Sequence, residues 1–224
     1  MSTSPLLAAR VRGPLAVFTE PAFKAERVSY PVITPSAARG LLESILWKPA
    51  IVWRIERIRV LAPIRFVSIK RNEVTRKATT PAARLIAEGG VPPVLFADED
   101  RAQRNTIALR DVDYVIEARF SLTSRAGTDD NVTKFVDMFQ RRIAKGQYFA
   151  APYLGCREYA ADVLPAADAP APIADTRSLG HMLWDIVYRP EGTRPVFFDA
   201  ELVNGVLSVP AEPKGLAVVR RAQG

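Results

Sequence analysis

The chain has one cysteine, Cys156, and one histidine, His181, in 224 residues. A single thiol excludes an internal disulfide, and one thiol with one imidazole excludes a cysteine- or histidine-rich metal cage. No apolar run approaches the roughly 20 residues that a helix needs to cross a bilayer. The N-terminal "MSTSPLLAARVRG" lacks the basic stretch and apolar core of a signal peptide, so none is expected. The glycine-rich phosphate loop ending in Gly-Lys-Ser/Thr, the dinucleotide-binding glycine fingerprint and the His-Glu-x-x-His zinc motif are all missing. The carboxylates form no clustered pattern of the two-metal kind. A cytoplasmic chain working without metal or cofactor, and without a membrane partner, is the expectation.

Positive charge is present, and it is unevenly spread. The chain carries a net +7 with a pI near 9.8. Residues 48–77 hold nine Lys or Arg against two Glu, an excess equal to that of the whole chain. Charge gathered this way is the electrostatic footprint of a protein that meets a polyanion. The plain alternative is a solvated basic strand pair.

Periodicity gives the element order. Residues 6–19 read as a strand interrupted by Gly13-Pro14. Residues 34–48 read as a helix with Thr34 as N-cap, Pro35 at the first helical position and Pro49 as the stop. Its stripe is Ala38, Leu41, Leu42 and Ile45. Residues 50–63 and 64–74 read as two strands, and 75–108 as a long, partly mobile insertion. The alternation over 111–123 is the clearest in the chain, with Val112, Tyr114, Ile116, Ala118, Phe120 and Leu122 on one face. Residues 130–146 read as a second helix that buries Val132, Val136, Phe139 and Ile143 and places Lys134, Arg141 and Lys145 on another face. Residues 147–159 look strand-like, 164–178 form a Pro/Ala loop, and 179–188, 195–210 and 215–222 read as strands. "VNGV" at 203–206 marks a hairpin.

That order predicts an α+β fold: a ferredoxin-like (RRM-like) βαββαβ domain over 1–158 and a small antiparallel β-rich subdomain over 159–224. The first carries a basic arm and insertion around 64–108. Fold alone does not assign function.

A chain of this composition that cuts nucleic acid would cut RNA without metal, because RNA supplies its own nucleophile, the 2′-hydroxyl. The protein then has to orient that group, assist proton transfer and stabilise charge on the phosphorane. Lys134 is the first candidate, with Arg141 and Lys145 on its helix face; a solvated helix lysine is its plain reading. Tyr30, on a loop with Lys24 and Arg27, is the second, able to touch the 2′-hydroxyl or stack on a base. Packing is the alternative for Tyr30. His181 reads as a structural histidine among apolar neighbours. Trp47 and Trp53 read as core, and Cys156 as a buried small residue. The candidate RNA-binding set is Lys24, Arg27, Lys48, Lys70, Arg71, Arg76, Lys77, Arg141 and Lys145.

Four blocks carry a family resemblance: "AVFTEPAFKAERVSYPVITPSAARGLLESILWKPAI", "SIKRNEVTRK", "LRDVDYVIEA" and "PYLGCREYAADV". In order and spacing they resemble the CRISPR-associated Cas-five family, Dvulg (type I-C) subtype, along nearly the whole chain. The resemblance implies a repeat-associated RAMP protein with an N-terminal ferredoxin-like domain. It further implies metal-independent cleavage of precursor CRISPR RNA at the repeat stem-loop, and retention on the 5′ handle beside the backbone and large subunits of the interference complex (Cascade). The family's catalytic set is described as a tyrosine, a lysine and an adjacent histidine. Here the tyrosine's block reads Ser44-Ile45-Leu46-Trp47-Lys48-Pro49, and the Lys-His pair maps to Lys134-Phe135. The expectation is retained cleavage on Lys134 with Tyr30. A non-catalytic RNA-binding subunit and a binder of double-stranded DNA are the alternatives.

Overall fold

One strand, β5 (Arg101–Leu122), is the spine of the molecule. The computed structural model describes residues 2–23, 26–75, 82–90, 100–189 and 192–213. The other strands are β1 (Leu7–Ala16), β2 (Arg27–Val28), β3 (Ile51–Val60), β4 (Phe66–Val74), β6 (Asp162–Pro165), β7 (Arg177–Arg189), β8 (Gly192–Val203) and β9 (Val206–Ser208). The helices are α1 (Pro35–Ile45), α2 (Ala82–Ala87) and α3 (Val132–Ala144). The fold is mixed α/β, and its nine strands form one mostly antiparallel sheet in the order β6-β1-β5-β3-β9-β8-β7, with β2 and β4 added along β5.

The C-terminal half of β5 lies between β1 and β3, with Ile116 opposite both Ala9 and Ile58. Its N-terminal half pairs with β4, Thr106 opposite Ile69. The halves meet at Asp111, whose φ of 51° is one of two positive values among the described non-glycine residues. Asp tolerates the left-handed region better than most side chains. A conformational switch there lets one strand serve two partners.

The α1 reading holds at its start. Thr34 Oγ1 accepts from the Ala37 N–H at 3.2 Å, and Pro35 opens the helix. The helix stops at Ile45, short of Pro49, because Leu46 is already extended (φ −139°, ψ 99°). Ala38, Leu41, Leu42 and Ile45 are buried as the period predicts. In α3 the buried side chains are Phe135, Phe139 and Ile143. Val132 and Val136 only flank the core. Trp53 fills the space between sheet and helix, 5.3 Å from Phe120 and 4.9 Å from Phe139 between ring centroids.

Four expectations change. Gly13-Pro14 does not interrupt β1, whose register with β5 continues from Gly13↔Val112 to Leu15↔Arg110. Gly13 is there for space: a Cβ would come within 2.5 Å of the Leu154 side chain. The insertion is shorter than 75–108, because 101–108 belongs to β5. Those residues pair with β4, whose side chains are exposed or half-buried throughout, so neither strand carries a hydrophobic period to read. Residues 147–159 form bends with one isolated bridge, Tyr153↔Ala160, in place of a strand. Their N–H groups go to α1 and to a local turn. The tail is not a separate sheet, since β9 pairs with β3, Ile58 opposite Leu207. The Asn204-Gly205 turn has φ values of 48° and 73°, as the "VNGV" signal requires. Residues 215–222 lie outside the described residues.

Candidate nucleic-acid interface

The end of α1 and the start of α3 form one corner. Leu46 is fully buried, and its carbonyl accepts from Trp53 Nε1 at 3.1 Å. Leu46 then faces in, while Trp47, Lys48 and Pro49 all face solvent before Ala50 is buried again. Across from them Asn131 caps α3, its Oδ1 accepting from the Lys134 N–H at 2.9 Å. Lys134 Nζ is exposed, 3.0 Å from Asp130 Oδ1 and 5.8 Å from the centroid of the Phe135 ring. The hydrogen bond from Lys134, with one from the Gly127 N–H and the nearby charge of Lys48, holds the Asp130 carboxyl below its ordinary pKa. Asp130 and Lys134 therefore form one ion pair at the start of α3. Phe135 is buried against Phe120, 6.2 Å between centroids, so positions 46 and 135 both serve the core.

The basic face of α3 adjoins this corner. Arg142 donates to the Ile45 carbonyl at 2.5 Å, which ties α3 to the end of α1. At 100° per residue, Lys145 lies about 60° and Lys134 about 80° around the helix from Arg142. Lys134, Arg141 and Lys145 are all exposed there. An open cleft of about 380 Å³ runs beside α3, lined by Arg12, Arg142, Tyr148 and Asp162 among others.

Two expected RNA-binding arginines are otherwise engaged. Arg27 pairs with Glu158 at 3.1 Å and with Glu73 at 3.5 Å. Arg71 pairs with Glu73 at 2.5 Å and also with Glu158. Cys156 sits against Arg27, its thiol pKa pushed up by burial and drawn part of the way back by that charge. Much of the 48–77 excess is similarly folded onto acids: Arg57 and Arg59 reach Glu117, Arg54 reaches Glu56, and Arg65 faces Asp111. Lys70 is exposed and has no ion pair among the described residues. Lys24, Arg76 and Lys77 lie outside the described residues.

Tyr30 is buried in the core. Burial, with the charge of Glu20, raises its pKa against a backbone hydrogen bond from Leu183. That keeps the hydroxyl protonated and unsuited to act as a base. No hydrogen bond or ring contact joins it to Lys134 among the described residues. Trp53 is core as expected, but Trp47 is not: it is 50% exposed and lies beside Phe149, itself 64% exposed. No local period marks Trp47 as exposed, since residues 47, 48 and 49 all face solvent after Leu46. His181 is exposed too, with Nδ1 3.0 Å from Asp199 Oδ1 and its ring stacked on Phe197. It lies on β7, at the end of the sheet order. No helix among the described residues is long and apolar enough to cross a membrane.

Against this geometry stand the similarities to known proteins. The family model for the CRISPR-associated protein family Cas5, in its Cas5d form, matches residues 6–210. A CRISPR pre-crRNA endoribonuclease Cas5d from Mannheimia succiniciproducens is 47% identical over 207 residues, covering 88% of this chain and 92% of the relative. One of the same name from Thermus thermophilus is 40% identical over 225 residues, covering 92% of each. Among solved structures, one titled a CRISPR-associated protein aligns with a TM-score of 0.68 at 22% identity, over 94% of each chain. A protein from Streptococcus mutans described as functionally uncharacterized aligns with a TM-score of 0.67, also at 22% identity, over 94% of this chain and 95% of its own. These two likenesses speak for the fold.

Proposed function

The chain belongs to the CRISPR-associated Cas5 family, in its type I-C form, and from that premise we propose that it is an endoribonuclease. In this reading it cleaves precursor CRISPR RNA at the repeat and stays on the 5′ handle within the interference complex. The observation that carries the reading is Lys134, exposed at the start of α3 and 3.0 Å from Asp130, with Arg141 and Lys145 exposed along the same helix. Two relatives with the endoribonuclease name, at 40% and 47% identity, support it.

The step needs few groups. The 2′-oxygen forms a bond to the adjacent phosphorus as the P–O5′ bond breaks. Its proton leaves to solvent, and the 5′-oxygen takes one from the Lys134 ammonium, which regains it from water. The products are a 2′,3′-cyclic phosphate and a 5′-hydroxyl. Lys134 has to leave Asp130 for the phosphate, and the growing phosphorane charge favours that exchange. Arg141 and Lys145 bind flanking phosphates, with Lys70 as an outlying contact. Tyr30 enters as a neutral group whose removal tests whether it has any part in the reaction.

For the architecture we propose a ferredoxin-like unit over 1–158 and a β-rich unit over 159–224. The sheet order β6-β1-β5-β3, with α1 following β1 and α3 following β5, supports that reading. In it the second unit lends β6 to the edge of the first.

The test is incubation with cognate repeat RNA in EDTA, beside the same RNA with one deoxyribose at the cut. Cleavage of the first alone, leaving cyclic phosphate, supports the proposal. Cutting of the deoxy substrate, or dependence on added metal, overturns the mechanism. A second reading, an RNA-binding subunit that does not cut, draws support from the buried apolar Leu46 and Phe135; tight binding with no product would favour it. Duplex DNA has only the net charge behind it, and phosphate contacts discriminate poorly. Competition by unrelated duplex should be weak.

A further inference from the structure

We infer that the exposed aromatic pair Trp47–Phe149 is a shelf for an unstacked RNA base close to the cut phosphate; this inference rests on the RNA reading above. The ring centroids are 6.0 Å apart, and the planes meet at 30°. Both rings are at least half exposed, and Tyr148, the residue before Phe149, is 55% exposed. Large aromatic groups left together in water mark a contact surface more often than a packing accident.

The shelf is built rather than loose. After α3, Gly146 turns the chain with φ 62°, and the Gln147 N–H donates to the Arg142 carbonyl at 2.8 Å. The N–H groups of Phe149 and Ala150 then both donate to the Ser44 carbonyl, at 2.8 and 3.0 Å. That carbonyl belongs to the last turn of α1, where acceptors lack partners inside the helix. One hydrogen-bonding need thus seats Phe149 beside Trp47, which is itself turned outward by the burial of Leu46. Rings held in advance lose little freedom on binding.

Charge selects the occupant. Lys48, next to Trp47, and Lys145, four residues before Phe149, are both exposed, and the Arg142 guanidinium is anchored at the end of α1. Planar rings beside cations match a nucleotide, with base on ring and phosphate on ammonium. An apolar peptide would leave those charges uncompensated. The backbone also connects the shelf to the cutting corner: the Pro49 carbonyl, next to Lys48, accepts from Thr123 Oγ1 at 2.7 Å, and the turn after Thr123 carries the Gly127 N–H to Asp130, the partner of Lys134. The base on the shelf is therefore a single-stranded neighbour of the scissile bond rather than part of a distant stem.

The probe is the cognate repeat RNA carrying 2-aminopurine at single positions near the cut. With the parent protein one position should change its fluorescence strongly. Trp47→Ala and Phe149→Ala should abolish that change and weaken binding about tenfold, within the range for one stacked base. Phe149→Tyr should keep both; Phe149→Leu, which keeps apolar surface without a ring face, should lose both. Equal thermal midpoints would show that the variants fold. If the parent binds the RNA and the alanine variants match it at every position, the shelf is overturned while the RNA reading stands. If the variants match the parent on RNA but fail to join the other complex subunits, the surface takes a protein. If the parent binds no repeat RNA, both readings fall together.

Discussion

The indole nitrogen of Trp53 donates to the carbonyl of Leu46 at 3.1 Å, which ties the first residue beyond α1 to the start of β3. The bond holds residue 46 extended with its side chain in the core, where it is fully buried. Leu46→Tyr therefore meets packed atoms before it meets RNA. Overpacking should cost about 1–3 kcal/mol, a fall in thermal midpoint of about 2–4 °C per kcal/mol for a chain of this size. An unchanged midpoint with faster cleavage would mean that the tyrosine has turned outward into the corner.

Lys134→Ala should slow cleavage about a hundredfold, the scale of losing one charge-stabilising donor. Affinity for the repeat should fall much less, since Arg141 and Lys145 remain. Single-turnover rates and equilibrium binding separate the two effects. Tyr30→Phe in the same assay should leave the rate near that of the parent, because its hydroxyl is committed to β7, and should cost about 1 kcal/mol of stability. A rate drop without loss of stability would bring Tyr30 back into the chemistry.

The carboxyl of Asp130 gives a pH test. Its pKa is lowered in the folded chain, first by the hydrogen bond from Lys134. A group depressed on folding contributes stability above its unfolded pKa and loses it as pH falls through the folded value. The Asp130 contribution should thus be complete at neutral pH and fade only below the ordinary aspartate range. Carboxyl NMR titration should find Asp130 low in the parent and higher in Lys134→Ala, with the Gly127 N–H still holding it somewhat below its usual value. Identical titrations would remove the ion pair from the corner.

The arginines and lysines should separate by role. Arg71 is engaged with Glu73 and Glu158 and is mostly covered, so Arg71→Ala should lower stability by about 1 kcal/mol, at the upper end for surface pairs. It should leave the salt dependence of RNA binding alone. Arg141→Ala with Lys145→Ala should do the reverse, with the slope of log K against log salt falling by about 0.7 per lost single-strand phosphate contact. A changed slope for Arg71→Ala would show that the Glu pairings open to admit RNA.

What could be read from the chain divides along burial. The N-cap Thr34, the α1 stripe, the alternation from 111 to 122 and the Asn204-Gly205 turn all announce themselves, because each is a local rule obeyed by adjacent residues. The start of β5, residues 101–105, does not, since it pairs with β4 in a ribbon that leaves these residues exposed or half-buried. Residues 147–159 mimic a strand by their aromatics, but their N–H groups are drawn to α1, a partner about a hundred positions away. Lys134 could be singled out from its helix face, and its pair with Asp130 is a local i,i+4 one, whereas the position of Lys48 near them depends on how the end of α1 meets the turn before α3. Phe135, a hundred degrees around the helix from Lys134, takes the core position, and Val132 and Val136 are left at its flank.

The shared spine has a consequence for how the chain is made. Leu7 pairs with Ala118 and Ile51 with Leu122, so neither β1 nor β3 has its neighbour until β5 has left the ribosome. Through most of synthesis both strands present open edges and apolar faces, the state in which nascent chains aggregate. Pairings this far apart in sequence also close slowly. The emergence of β5 should therefore be the event that commits the nascent chain to its sheet, with β9 reaching β3 only near the end.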